Sequence, residues 1–398
     1  MYQGLLNFSN VSNHLILIGI YAILALSLNL INGSLGAFSL GHHGFWGMGA
    51  YAASVLVWHF GSADGSLLIF AASFVVAMFA SAMFGLLVGT PCLRLKGDYL
   101  AIATLGFSEI FVISMRNSES WTAFGERGLG GKAGFSSGDG YSGGNHILYS
   151  LTGSDSGEKV AFLILTWLLV LVTFIVFRNI LRSGHGRAIM AIRDDETAAE
   201  LMGVHLIRYK VLVFVVGAAF AGLAGALSAN YRGYVCPDRF VMMEGVKILL
   251  MVVLGGLGSM SGALLAAVLL YASEQALLTV DTIVPFIGFS DNSFIIVYKP
   301  IKDLSQVGFA LLLIILMLLR PHGLMGKKEF SCAFFRRTFA AWREHPLPVL
   351  VTVFQWAQFL IALPLSQDRP AILYVSLSAL VACHFFKQRY KTKRALGG

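Results

Sequence analysis

The chain has 398 residues, of which 57% are hydrophobic and only 13% charged, with a mean hydropathy of +0.74. Soluble domains carry about 25% charged residues, so this composition is that of an integral membrane protein. The formal net charge of +8 does not point to nucleic acid, because the basic residues gather in polar loops and the C-terminal tail, where membrane topology accounts for them.

Apolar runs recur along the whole length, near the roughly 20 residues of a spanning helix and unlike the short alternating strands of a barrel. The N-terminus lacks a basic n-region and a cleavage signal, so the first run, residues 14–31, is expected to be retained. Residues 32–49 (NGSLGAFSLGHHGFWGMG) then break the pattern. Glycine at this density permits sharp breaks and close backbone approach at membrane depth, and it also suits tight helix packing. His42 and His43 lie inside the break with no nearby Cys, Asp or Glu, which argues against a metal site. Residues 51–60 complete a second span and residues 67–89 form a third, ended by Pro91; Arg94 and Lys96 place the next turn in the cytoplasm. The fourth span, 99–115, carries Glu109, which must face the bundle interior or water, either as interhelical glue or as part of a substrate path.

A long polar, glycine-rich loop follows over residues 117–158 and is expected outside. Its GERGLGGKA stretch (125–133) is superficially similar to a phosphate-binding loop, but Glu126 stands where the first Gly is required and Ala133 replaces the Ser or Thr. The loop reads as an external docking or gating surface, or as a flexible linker. A fifth span over 160–177 leads into residues 178–210, the only long segment rich in both signs of charge. Arg178, Arg182, Arg187, Arg193, Arg208 and Lys210 mark it as cytoplasmic. Within it, Asp194 is positioned to cap a short helix with Asp195 and Glu196 in its first turn, and Gly203 supplies the stop. So short a helix needs a docking surface to be stable.

Residues 211–230 span again, with Gly217, Gly222 and Gly225 on one small-residue face. Residues 246–279 suffice for two spans, broken by GGLGSMSG at 255–262. Glycine breaks in both halves of a transporter point to a central binding region. An external loop is expected over 280–303 and a span over 304–319. Residues 329–344 suit an interfacial amphipathic helix, and 347–363 and 371–386 an added hairpin of two spans before a basic tail. Cys92, Cys236, Cys332 and Cys383 show no paired spacing, so neither a disulfide framework nor a zinc site is expected. The fold class is therefore an all-α polytopic membrane bundle of about eleven spans with Gly-broken segments and an external N-terminus.

Several of these motifs resemble one family. The 178–210 segment is similar to the EAA-type coupling loop of bacterial ABC importer permeases, through Gly186, Arg187, Ala188, Arg193, Asp194, Asp195, Glu196, Ala198, Ala199 and Gly203. In that family the short helix sits in a groove of the ATPase subunit and transmits its closure. The first break resembles permeases of the high-affinity branched-chain amino acid importers at Ser39, Leu40, Gly41, His42, Phe45, Gly47, Gly49, Ala50 and Tyr51. So do GDYLAIATLGFSEI with Arg116 and Asn117, the glycines Gly130, Gly131 and Gly134, and RPHGLMG at 320–326. Ala37 and His43 depart from the family's Gln and small residue, and Leu129 from its Thr. The resemblance covers residues 15–326, which sets a permease domain over 1–326 and a C-terminal extension over 327–398.

The resemblance implies a permease subunit of an ABC importer for branched-chain amino acids, in the bacterial inner membrane. It implies a second permease subunit, as a heterodimer, two ATP-binding subunits, and a periplasmic or extracellular substrate-binding protein; membrane lipid surrounds the bundle. No cofactor is expected, and with no nucleotide-binding motif the chain is not itself the enzyme. The ATPase-coupling set is Gly186, Arg187, Arg193, Asp194, Asp195, Glu196, Ala198, Ala199 and Gly203. The translocation path is assigned to Ser39, Gly41, His42, Glu109, Gly255, Gly256 and Gly258, with apolar neighbours including Phe38, Phe45, Leu257 and Met260. Two alternatives remain. One is a permease for urea or short amides. The other is an ion-coupled secondary transporter, for which Glu109, Glu244, Lys247 and Glu274 are the candidate coupling residues.

Overall fold

A computed structural model describes residues 8–60, 67–95, 97–118, 131–136, 155–280, 286–290 and 293–297. It divides into two compact units, the larger taking in residues 7–269 and the smaller 270–319 among others. In the larger unit, α1 (Phe8–Leu28) runs directly into a π-helical turn, Asn29–Leu35, and then a break before α2 (His42–Phe60). α3 (Leu67–Cys92) and α4 (Asp98–Arg116) follow. After a single 3₁₀ turn (Gly131–Ala133) and the short strand β1 (Phe135–Ser136) come α5 (Asp155–Arg182), α6 (Gly184–Asp194) and α7 (Glu196–Leu201). α8 (Leu206–Arg232), β2 (Tyr234–Val235), a 3₁₀ turn (Pro237–Arg239), α9 (Met242–Gly255) and the first half of α10 (Met260–Val280) complete it.

The core forms where α2, α3 and α8 meet, and it forms there because small residues let the backbones touch. A Cβ on Gly49 would strike the backbone of Gly222, one on Gly222 would strike Ser81 and Ala77, and one on Gly225 would strike Trp46 and Ala50. Gly217, in contrast, closes on Ile31. The glycines of α8 therefore serve several neighbours rather than one face, and every residue from 221 to 230 is buried. Polar side chains tie the same contacts: Ser81 Oγ donates to Phe45 O at 3.0 Å, Trp46 Nε1 to Ser228 Oγ at 3.2 Å, and Asn230 Nδ2 to Ser73 Oγ at 3.0 Å.

Five described helices are long and apolar enough to cross a membrane: Ser12–Leu35, Leu67–Cys92, Asp98–Arg116, Gly157–Arg182 and Leu206–Arg232. The first and last are mostly buried, whereas α3, α4 and α5 leave large apolar side chains such as Phe79, Ile110 and Leu171 exposed, as lipid-facing helices must. α9 has 14 residues, about 21 Å of helix, too short for a hydrocarbon core of about 30 Å. The first break is narrower than the composition suggests. Gly44, Gly47 and Gly49 lie inside α2, where they pack against Ser108, Phe111 and Gly222.

β1 pairs antiparallel with β2, Phe135 opposite Val235, so the loop after α4 is tied to the end of α8. α6 and α7 adjoin the other end of α8, 27 residues or about 40 Å away. In the smaller unit the stretch expected to be a loop contains a β-hairpin, β3 (Phe286–Ser290) with β4 (Ser293–Val297), Phe286 opposite Val297. Its aromatic and β-branched residues are strand formers. The spans expected over 304–319, 347–363 and 371–386, the amphipathic stretch and the domain boundary at 326 lie outside the described residues.

Candidate functional site

The two glycine breaks meet. At the end of α1 the Asn29–Leu35 turn is wholly buried, and Gly36 leaves it with φ +77°. Asn29 Oδ1 accepts from the backbone N–H of Gly258, 2.9 Å away in the second break, and Asn29 Nδ2 lies 3.7 Å from Met260 Sδ. Asn32 clamps the backbone of Ser39 from both sides, accepting from its N–H at 3.1 Å and donating to its carbonyl at 3.2 Å. Thr104 Oγ1 accepts from Leu40 N at 3.2 Å, and Ser108 Oγ donates to Gly41 O at 2.6 Å. Irregular backbone at membrane depth is tolerated only when its polar groups are satisfied within the protein. Asn29, Asn32, Thr104 and Ser108 do this work.

The second break is built on the same terms. Gly256 and Gly258 have φ +103° and +88°, which suits glycine. Ser259 Oγ caps α10 by accepting from Gly262 N at 3.1 Å. Gly255 packs directly on Gly262 and Ala263, so α9 and α10 form a tight helical hairpin.

Next to the first break the two histidines diverge. His42 Nε2 is hydrogen-bonded to Ser27 Oγ at 2.7 Å, whereas His43 Nε2 lies 3.4 Å from Glu109 Oε1. Glu109 thus faces the bundle at the α2–α4 contact. Glu244 accepts from Tyr21 OH at 2.8 Å and from Lys247 Nζ at 2.9 Å, at the contact of α1 and α9.

The polar segment after α5 is two helices separated by the extended backbone of Asp195. Ser183 Oγ caps α6 by accepting from Gly186 N at 3.2 Å, and a Cβ on Gly186 would strike the carbonyls of Ile180 and Leu181. The cap of α7 is Asp195, not Asp194 as the sequence suggests. Asp195 has extended backbone, φ −158° and ψ 112°, and its Oδ1 accepts from Thr197 N at 2.8 Å and Ala198 N at 3.1 Å; Asp194 is still the last residue of α6. Glu196 accepts from Lys210 Nζ at 2.6 Å, Ala199 is buried, and Gly203 ends the turn at φ +84°. Leu201 and Met202, 83% and 84% exposed, form the outward apolar surface, with Ala198 exposed beside them.

One side chain joins this segment to both breaks. Arg193, in the last turn of α6, lays its methylenes 3.1 Å from where a Cβ on Gly36 would stand. Its Nη1 lies 2.7 Å from where a Cβ on Gly258 would stand. A side chain at either glycine would displace it.

Residues 10–319 match the family described as "Branched-chain amino acid transport system / permease component". The chain belongs to this permease family. It is 35% identical over 321 residues to the high-affinity branched-chain amino acid transport system permease protein LivM of Salmonella typhimurium, covering 77% of this chain and 68% of the relative. LivM of Escherichia coli is 34% identical over the same shares of each chain. LivH of Salmonella typhimurium is 27% identical over 78% of this chain and 92% of its own. No solved structure matches.

Within this permease, the residues read from sequence fall into two groups. Arg187, Asp194, Asp195, Ala198 and Gly203 are exposed, Arg193 and Glu196 half-buried, and Gly186 and Ala199 buried in the segment's own packing. Ser39, Gly41, His42, Gly255 and Gly256 are all buried, whereas Gly258 and Glu109 are partly accessible. Phe45 and Met260 are buried while Phe38 and Leu257 are exposed at the two breaks. Sequence reading missed Asn29 and Asn32, three apart in an apolar run, whose isolation was itself a signal of interhelical bonding.

Proposed function

We propose that this chain is a permease subunit of an ATP-driven importer of branched-chain amino acids in a bacterial inner membrane. It pairs there with a second permease, two cytoplasmic ATPases that hydrolyse ATP, and an external substrate-binding protein. Family membership and the names of the LivM and LivH relatives support the substrate class and the paired subunits.

The observation that carries the mechanism is the contact of Arg193 with both Gly36 and Gly258. The exposed Leu201 and Met202 offer the apolar face on which an ATPase docks, and Asp195 and Lys210 keep that short helix formed. A displacement of α6 then reaches the two breaks through one side chain packed against both, and the Asn29–Gly258 bond makes them respond together. Such an element has two arrangements rather than a continuum, because packed backbones slide poorly. In this scheme the buried Ser39, Gly41, His42 and Gly255 form part of the closed barrier, and the path opens when the breaks separate.

An ion-coupled mechanism draws less support. Glu244 is already bonded to Tyr21 and Lys247, and Glu109 lies beside His43. The test is ATP-dependent uptake of radiolabelled leucine by the reconstituted complex, with isoleucine, valine, urea and short amides as competitors. Isoleucine and valine are expected to compete; competition by urea or amides alone overturns the substrate, and uptake without the ATPases overturns the mechanism. Arg193→Ala is expected to leave ATP hydrolysis running while uptake falls.

A further inference from the structure

At the end of α8 remote from the coupling helices lies a cavity of about 220 Å³, enclosed by α1, the start of α2, the Pro237–Arg239 turn and the start of α9. It is smaller than the roughly 300–1,000 Å³ of sites for drug-sized ligands, which suits a small metabolite. A second, wider cavity of about 510 Å³ adjoins this chamber, sharing Leu17, Arg232, Tyr234 and Arg239 with it.

The chamber is lined by charges of both signs and by aromatic rings. Arg239 Nη1 is buried and has no hydrogen-bond acceptor among the described residues, nor does Arg239 make an ion pair there; its guanidinium rests 6.0 Å from the centroid of the Tyr234 ring. A buried, unsatisfied guanidinium N–H is costly, so the site favours a ligand that brings a carboxylate. Glu244 also lines the chamber. Its two oxygens accept from Tyr21 and Lys247, which fix the carboxylate in place yet use only half of its roughly four lone-pair positions. The neighbouring Asp238 is already engaged by Arg116 at 2.9 Å. Trp46 and Phe240 line it as well, their ring centroids 4.9 Å apart. The Trp46 N–H is spent on Ser228, which leaves the indole as an apolar wall.

We infer that this chamber is a low-affinity binding site for the zwitterion of an aliphatic α-amino acid, its carboxylate on Arg239, its ammonium on Glu244 and its side chain against Trp46 and Phe240. This deepens the proposed function and rests on it for direction: a substrate released by an external protein meets this end of the bundle first. Weak binding is what such a position needs, since a tight site would slow release. Urea and simple amides lack the paired charges and do not satisfy the chamber.

The experiment uses the full complex of both permeases and both ATPases in nanodiscs, without the binding protein, and measures binding of radiolabelled leucine. Competitors are leucinamide, which lacks the carboxylate, isocaproate, which lacks the ammonium, and urea. Each truncated analogue is expected to compete about 10- to 100-fold more weakly than leucine, the range for losing a charged hydrogen bond. Arg239→Ala and Glu244→Gln are expected to weaken leucine binding by similar factors, and Arg239→Lys to restore part of it. If Arg239→Ala does not assemble, Arg239→Lys and the analogue series on the unaltered complex decide. No leucine binding by the unaltered complex, binding by Arg239→Ala equal to that of the unaltered complex, or competition by leucinamide or isocaproate as strong as that by leucine overturns the site. Leucine uptake with the binding protein present is measured in parallel. Uptake intact with the site refuted sinks this inference alone, whereas absent leucine uptake sinks the functional reading.

Discussion

Gly33 sits beneath the hydrogen bond that joins the two breaks. A Cβ there would meet Asn29 Oδ1 and the amide of Gly258, the two atoms of the bond. Gly33→Ala is therefore expected to break it and to destabilise the permease by about 1–3 kcal/mol, the cost of leaving buried polar groups unpaired. Gly106 in α4 is the control, because nothing lies within 4 Å of an added Cβ. Gly106→Ala should be neutral or stabilising by up to about 1 kcal/mol. Thermal denaturation of the detergent-solubilised protein separates the two, and equal melting temperatures would remove the Asn29 clamp from the stability of the bundle. Glycine counts in the sequence do not distinguish these positions.

At the scale of an element, α7 has only six residues and cannot stand alone. Its cap, the Lys210–Glu196 pair and the burial of Ala199 hold it, while Leu201 and Met202 face outward. Leu201→Asp with Met202→Asp should leave insertion and folding intact and abolish ATPase capture, read by co-purification of the ATPases. Asp195→Ala should cost about 1 kcal/mol and weaken capture partly, with Asp195→Asn close to the unaltered protein. Ala199→Asp acts differently: it places a charge inside the segment, so the loop should become sensitive to limited proteolysis. Normal capture by the Leu201 and Met202 double variant would take docking elsewhere.

For the whole molecule, the family match ends at residue 319, short of the C-terminal extension expected over 327–398. Truncation after Lys328 is expected to give a permease that assembles with its partners and takes up leucine, with somewhat lower abundance. Uptake per assembled complex is the measurement; normal assembly without uptake would make the extension part of the machine. The membrane class and the family were legible at this scale because hydropathy and motif order are read along the chain. Span boundaries were not. α2 begins at His42 despite three glycines in its first eight residues, because contacts with α4 and α8 outweigh their poor helix propensity.

The sequence by itself determined what depends on neighbours in the chain. Apolar runs, the basic 178–210 segment, its acidic helix start and the stop at Gly203 are local chemistry, and they placed the start of α7 within one residue of its cap. Tertiary structure alone decided which polar atoms meet. Asn29 and Gly258 lie 229 positions apart, and Tyr21 and Glu244 lie 223 apart. An asparagine or a glutamate in an apolar run requires a partner, but many residues are chemically able to supply it. Packing selects one by deciding which backbones approach, so Arg193 against Gly36 and Gly258, and Arg239 in its chamber, came into view only in the folded chain.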